Sequence, residues 1–98
     1  AFAYHVTIVN DSQETVQLIN RYWQITDANG KTSEVSGSGV VGKQPILKPG
    51  EDFDYTSGAV LDTPVGNMQG YYEMERENGE RFRVPIEVFR LAVPNILH

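Results

Sequence analysis

No stretch of ten residues in this chain combines helical periodicity with freedom from glycine and proline, so no helix of ordinary length is predicted. Apolar residues instead alternate with polar ones in short runs cut by Gly, Pro, Asn and Asp, the pattern of half-buried β-strands. Phe2, Tyr4, Val6 and Ile8 alternate with Ala3, His5, Thr7 and Val9, and Asn10-Asp11-Ser12 ends that strand with turn chemistry. The triplet also fits an N-glycosylation acceptor, a poor match for a cysteine-free chain without a signal peptide.

A second strand is predicted from about Thr15 to Asp27. Val16 and Leu18 share one phase, whereas Ile19, Arg21, Trp23 and Ile25 share the other, and a β-bulge produces such a change. Trp23, the sole tryptophan, is the largest apolar surface available and is expected at the centre of the core. The turn Asp27-Ala28-Asn29-Gly30-Lys31 allows two registers. A two-residue Asn-Gly loop would set Gln24 against Val35. A three-residue loop closed by Gly30 sets Trp23 against Val35 and Asp27 against Lys31, and is preferred because it pairs like polarity and opposite charge.

The closing hairpin is argued in the same way. A three-residue loop at Glu77-Asn78-Gly79 opposes Met74 with Phe82 and Tyr72 with Val84 on one face. It also opposes Glu75 with Arg81 and Glu73 with Arg83 on the other, whereas a two-residue loop mismatches both faces. Beyond Pro85 the phase shifts to Phe89, Leu91 and Val93, and Pro94 ends the strand before a tail of Asn95-Ile96-Leu97-His98. Between the hairpins, Phe53 and Tyr55 alternate with Asp52 and Asp54 on a strand that Ser57-Gly58 closes, and Asp62 to Asn67 reads as a loop. Six or more short strands of this kind imply one all-β domain over residues 1–98, an antiparallel sandwich. Without the immunoglobulin disulfide it would be immunoglobulin-like of the fibronectin type III kind.

Thirteen acidic against eight basic residues give a net charge of −5, which disfavours nucleic acid and anionic membranes as partners. The absence of cysteine removes disulfides, thiolate zinc sites and a thiol nucleophile, and fits the reducing cytoplasm. No apolar run reaches the length of a membrane span, and the chain starts at Ala1, as a fragment or processed chain would.

Gly37-Ser38-Gly39-Val40-Val41-Gly42 spells GxGxxG, but a dinucleotide fingerprint needs a helix after it, and Pro45 and Pro49 forbid a continuous one. Gly37 to Lys43 spells GxxxxGK, yet Gln44 stands where Ser or Thr would hold magnesium. The ordinary reading is an irregular crossover. The alternative is an amide nest for phosphate, pyrophosphate or a nucleotide, formed by Gly37, Gly39 and Gly42 with Lys43 beside it. Asp52 and Asp54 share a strand face and are weak candidates for a divalent cation, because no further ligands converge in sequence. His5 is expected on the solvent side, His98 is terminal, and no Gly-x-Ser-x-Gly elbow exists. No catalytic residue and no cofactor is expected.

Several blocks together resemble the bacterial ApaG family: Arg21-Tyr22-Trp23-Gln24-Ile25-Thr26-Asp27, Gly37 through Pro45, Pro49-Gly50-Glu51, Tyr55-Thr56-Ser57-Gly58, Thr63 through Gly70, Phe82 through Ile86 and Phe89 through Pro94. The resemblance implies a fibronectin type III-like sandwich associated with cobalt and magnesium resistance or efflux, in genes that often neighbour a diadenosine tetraphosphate hydrolase. Related domains in F-box proteins and a DNA-polymerase-delta-interacting protein are interaction modules, and no catalytic residues can be carried over. Family members carry a further segment before Phe2-Ala3-Tyr4 that contributes a strand. The resemblance thus implies a domain lacking that segment, with an exposed edge. The expectation is a non-catalytic module for an unidentified protein partner, either monomeric or paired through that edge as a homodimer.

Overall fold

The computed structural model describes residues 1–92 of the chain. Its strands are β1 (Phe2–Val9), β2 (Val16–Asp27), β3 (Thr32–Ser38), β4 (Ile46–Leu47), β5 (Asp52–Ala59), β6 (Val65–Arg76) and β7 (Arg81–Ala92). Every strand pairing is antiparallel. β1 and β5 form a two-stranded sheet, and the other sheet runs β3-β2-β6-β7 with β4 also paired to β2. The expected all-β immunoglobulin-like sandwich is present. Among the described residues no helix is long and apolar enough to cross a membrane.

Both argued hairpin registers are observed. Trp23 faces Val35 across β2 and β3, and Gly30 closes that turn at φ 82°. Met74 faces Phe82 and Tyr72 faces Val84 across β6 and β7. The bulge in β2 falls between Leu18 and Asn20, where the phase of the sequence changes. A second irregularity, between Met68 and Gly70, accompanies the phase shift after Pro85. Val93, Pro94 and the tail lie outside the described residues.

Trp23 is 2% exposed. Tyr4, Tyr72 and Phe89 surround it in T-shaped contact, with centroids 5.8, 5.9 and 5.8 Å from the indole. Among the described residues its Nε1 has no hydrogen-bond acceptor, and the indole sits as an aromatic among aromatics. Tyr55 and Tyr72 join hydroxyl to hydroxyl across the two sheets. Burial first, then the bond to Tyr55, raises the Tyr72 hydroxyl well above the ordinary tyrosine range. Burial likewise raises Tyr55.

Three expectations are corrected. Ser57-Gly58 does not close a strand; β5 runs on to Ala59, because Gly58 still pairs with Ala3 of β1. The loop predicted through Asn67 ends at Pro64: β6 begins at Val65, and Gly66 lies against β2, where a side chain would meet Thr26 O. Residues 39–45 are not a crossover. β3 and β4 run along the same edge of β2, opposite Asn20 and Gln17, so these residues are an excursion from one interrupted edge strand. Both ends are stapled back, Gly39 N–H to Ile19 O at 2.7 Å and Leu18 N–H to Pro45 O at 3.0 Å. Val35 keeps its place opposite Trp23 yet is 43% exposed, because the second sheet is too narrow to cover β3.

Close approach of backbones makes Gly70 the most constrained glycine in β6. A Cβ there would lie 1.9 Å from Tyr22 O and 3.1 Å from Trp23 Cα. Gly70→Ala is expected to lower stability by about 3 kcal/mol in urea denaturation, since rigid backbone must move. Gly58→Ala, whose Cβ meets only Phe2 O at 3.2 Å, serves as the mild comparison. Equal losses would contradict the packing assigned to β2 and β6.

Candidate functional site

The glycine-rich stretch resolves into three local structures. Gly37 is an ordinary strand residue opposite Arg21. Its missing side chain makes room for the Arg21 guanidinium, 3.2 Å from where a Cβ would stand. From there Arg21 NH1 donates to Ser38 O and Gly39 O, each at 2.9 Å. Gly39 adopts φ 63°, and a Cβ on it would strike Lys43 O at 2.3 Å. Val40 and Lys43 then exchange two backbone bonds of 2.8 and 2.9 Å around Val41 and Gly42, whose φ values of 43° and 76° make a tight two-residue turn. Val40, 1% exposed, anchors this small hairpin.

That geometry limits the loop as an anion site. The N–H groups of Gly39, Val40 and Lys43 all donate to backbone carbonyls. A nest requires successive amides aimed at one point, and the tip offers only Val41 and Gly42 besides the Lys43 side chain.

Asp52 and Asp54 lie on the outer face of the two-stranded sheet, opposite Val9 and Thr7. Asp54 Oδ2 is 3.6 Å from His5 Nε2, and His5 Nδ1 lies 2.8 Å from Thr56 Oγ1. Nothing brings Asp52 into that group, and among the described residues no three His, Asp or Glu side chains converge as metal ligands would. Trp23 is wholly inside the sandwich. His98 lies outside the described residues.

Sequence reasoning missed a polar knot at Asn10. This residue is 6% exposed. Its Nδ2 donates to Glu14 O and Leu47 O, both at 2.9 Å, and its Oδ1 accepts from Ser12 N–H and Oγ–H. The amide nitrogen is fully engaged, which closes the glycosylation reading.

Also unforeseen is a trench beneath β1. β1 has β5 on one side and no second strand on the other among the described residues. Below that edge Val6 and Ile8 face Tyr72, Val84 and Ile86 around a space of about 390 Å³. It shares Ile8, Val9 and Val84 with a neighbouring hollow of about 300 Å³ that reaches Leu47, Met74 and Phe82. Narrow cover over β7 is the cause. The alternation in both strands was legible, but not that the two inner faces stop short of closing.

Charges on the opposite face depart from expectation at one position. Glu73 does stand opposite Arg83, but Arg83 lies over the Tyr71 ring, 4.3 Å from its centroid. Arg81 instead holds both glutamates, Glu75 at 3.1 Å and Glu73 at 3.2 Å. The hydrogen bond from Asn20 Nδ2, at 2.7 Å, is the main reason the Glu73 carboxyl is held below the usual carboxylate range, with the Arg81 bond adding to it.

Comparison with known proteins agrees with this architecture. The sequence profile of the ApaG domain matches residues 1–76. The Protein ApaG of Escherichia coli O1:K1 is 58% identical over 97 residues, covering 99% of this chain and 78% of that protein. The Protein ApaG of Shigella boydii serotype 18 gives the same identity and coverage. A crystal structure of a putative ApaA protein from Bordetella pertussis superposes with a TM-score of 0.91 at 51% identity, over 96% of this chain and 76% of that one. A structural-genomics X-ray structure superposes with a TM-score of 0.92 at 53% identity, over 98% of this chain and 73% of the other.

A depressed carboxyl stabilises the fold above its unfolded pKa, about 4.3 for Glu. That contribution is lost as pH falls through the lower folded-state value. Replacing Glu73 by Gln is therefore expected to flatten the acid limb of a stability-versus-pH curve below about pH 5 while lowering stability at pH 7. An acid limb identical to wild type would show that Glu73 is not held in this way.

Proposed function

The chain belongs to the ApaG family, and on that premise we propose that it is a non-catalytic binding module for a protein partner, acting in the cytoplasm and linked through that partner to cobalt and magnesium homeostasis. The β1 edge, unpaired among the described residues, and the apolar trench beneath it carry this reading. An edge strand offers unpaired N–H and C=O groups to an incoming extended segment, and alternate side chains of that segment find pockets on either side. Here Val6, Ile8, Val84 and Ile86 supply the apolar side of such a seat.

Three of the chemically versatile side chains support a non-catalytic role, because they have structural partners. His5 faces Thr56 and Asp54, Ser12 bonds Asn10, and Arg21 holds the hairpin that follows β3. A net charge of −5 argues against nucleic acid and anionic membrane as the partner. A second copy of the chain is the competing occupant of the β1 edge, forming a homodimer by edge pairing. The phosphate or nucleotide alternative at Gly37, Gly39, Gly42 and Lys43 has weaker support, since three of the loop's amides are already bonded.

Lysines on an edge strand discourage strand addition without disturbing its inner face. Thr7 and Val9 point outward, so the double variant Thr7→Lys/Val9→Lys should remain folded. Affinity capture from a bacterial lysate is expected to retain a partner on wild type and lose it on the variant, and β1 amides should gain protection from hydrogen exchange in the complex. Light scattering of the isolated chain distinguishes the homodimer. Undiminished capture by the variant would contradict the proposal.

A further inference from the structure

The outer face of the five-stranded sheet carries a column of stacked side chains that neither the core nor the β1 edge uses. Tyr22 and Tyr71 face each other across β2 and β6, with ring centroids 5.0 Å apart and planes within 25°. β7 flanks β6 on the other side and places Arg83 over Tyr71. The column thus runs Arg83–Tyr71–Tyr22 from β7 to β2. Its next place lies over β3, where the residue opposite Tyr22 is Ser36, between Val35 and Gly37. Nothing large stands there. A concavity of about 350 Å³ opens instead, lined by Asn20, Tyr22, Ser36, Ser38, Tyr71 and Glu73, with Arg21 and Gly37 also bordering it.

Several hydrogen-bond acceptors are left available around this space. Glu73 uses Oε1 for Asn20 and Arg81, and its Oε2 has no partner among the described residues. Asn20 donates through Nδ2, which leaves Oδ1 as an acceptor. The Ser36 and Ser38 hydroxyls, which can accept as well as donate, are uncommitted among the described residues. The nearby Arg21 guanidinium spends NH1 on the carbonyls of Ser38 and Gly39, which holds it at the Gly37 side of the space. An aromatic ring, the Glu73 carboxylate and the Asn20 and serine oxygens match a planar group that has five donors, a positive charge and no acceptor. Arg83 on Tyr71 displays the same interaction at the other end of the column.

We propose that this concavity is a docking site for an arginine side chain presented by a protein partner, its guanidinium stacked on Tyr22 and donating to Glu73 Oε2 and Asn20 Oδ1. The fixed Asn20–Glu73 bond sets the acceptors in place, and Ser36 and Ser38 keep the space clear. Net negative charge on the chain favours the approach of such a partner. The site lies on a different sheet from the β1 edge and does not rest on the role proposed for that edge.

The test titrates the full chain with an acetylated, amidated Gly-Gly-Arg-Gly-Gly peptide and with its lysine and citrulline versions, following backbone amides by NMR. Saturable shifts at Tyr22, Ser36 and Ser38 are expected with arginine. Lysine should bind at least about threefold more weakly, and citrulline, planar but uncharged, at least about tenfold. Tyr22→Leu and Glu73→Gln should each weaken the arginine peptide about tenfold. Ser36→Trp, at an exposed position on β3, should abolish the shifts while the rest of the spectrum stays native. Thr7→Lys/Val9→Lys should leave them unchanged. The proposal is overturned by absence of saturation at tens of millimolar peptide, by citrulline binding as well as arginine, or by Ser36→Trp binding as wild type. Saturable shifts with a neutral sugar in place of arginine would also overturn it.

Discussion

The hydroxyl-to-hydroxyl bond between Tyr55 and Tyr72 joins two sheets of unequal size. Among the described residues it is the one side-chain hydrogen bond between a strand of β1–β5 and a strand of the larger sheet. Around it Tyr4, Trp23 and Phe89 stack edge to face, so the polar bridge sits within an aromatic cluster that excludes water. One hydroxyl donates to the other, and both residues are buried. Both are held above the ordinary tyrosine range, mainly by burial. A raised pKa contributes stability below the unfolded value, near 10, and that contribution is lost as pH rises beyond it.

From this narrow joint follow the features that bear on function. Two strands cannot cover four, so β3 leaves Val35 exposed and β7 leaves Val84 and Ile86 half-covered beneath the β1 edge. The same sheet turns Tyr22, Tyr71 and Arg83 outward in a column that ends over two serines and a glycine. The two binding surfaces proposed above thus lie at the β1 edge and on the outer face of the larger sheet. The glycine-rich hairpin, which draws the eye first, spends most of its hydrogen bonds on itself and on β2.

Hairpin register was legible because each wrong register exposes one face and buries charge on the other, as at Met74–Phe82 and Glu75–Arg81. The bulge beside Ile19 was legible for the same reason. Where contacts join residues distant in sequence, the alternation of a single strand carries no information. Asn10 reads as a turn residue, and nothing local announces that its amide reaches Leu47 O. The excursion of residues 39–45 was equally hidden, since it depends on β3 and β4 sharing one edge of β2. Arg83 was expected on Glu73. Register alone cannot decide between a carboxylate opposite and an aromatic ring beside it.

A double-mutant cycle on Tyr55 and Tyr72 tests the joint most directly. Urea denaturation of Tyr55→Phe, Tyr72→Phe and the double variant would measure the coupling. Either single change strands a buried hydroxyl and is expected to cost about 1–3 kcal/mol, whereas the double change removes both partners together. The double variant should therefore lose at least about 1 kcal/mol less than the sum of the singles. Additive losses, or singles within about 0.5 kcal/mol of wild type, would contradict the bridge as the polar link between the sheets.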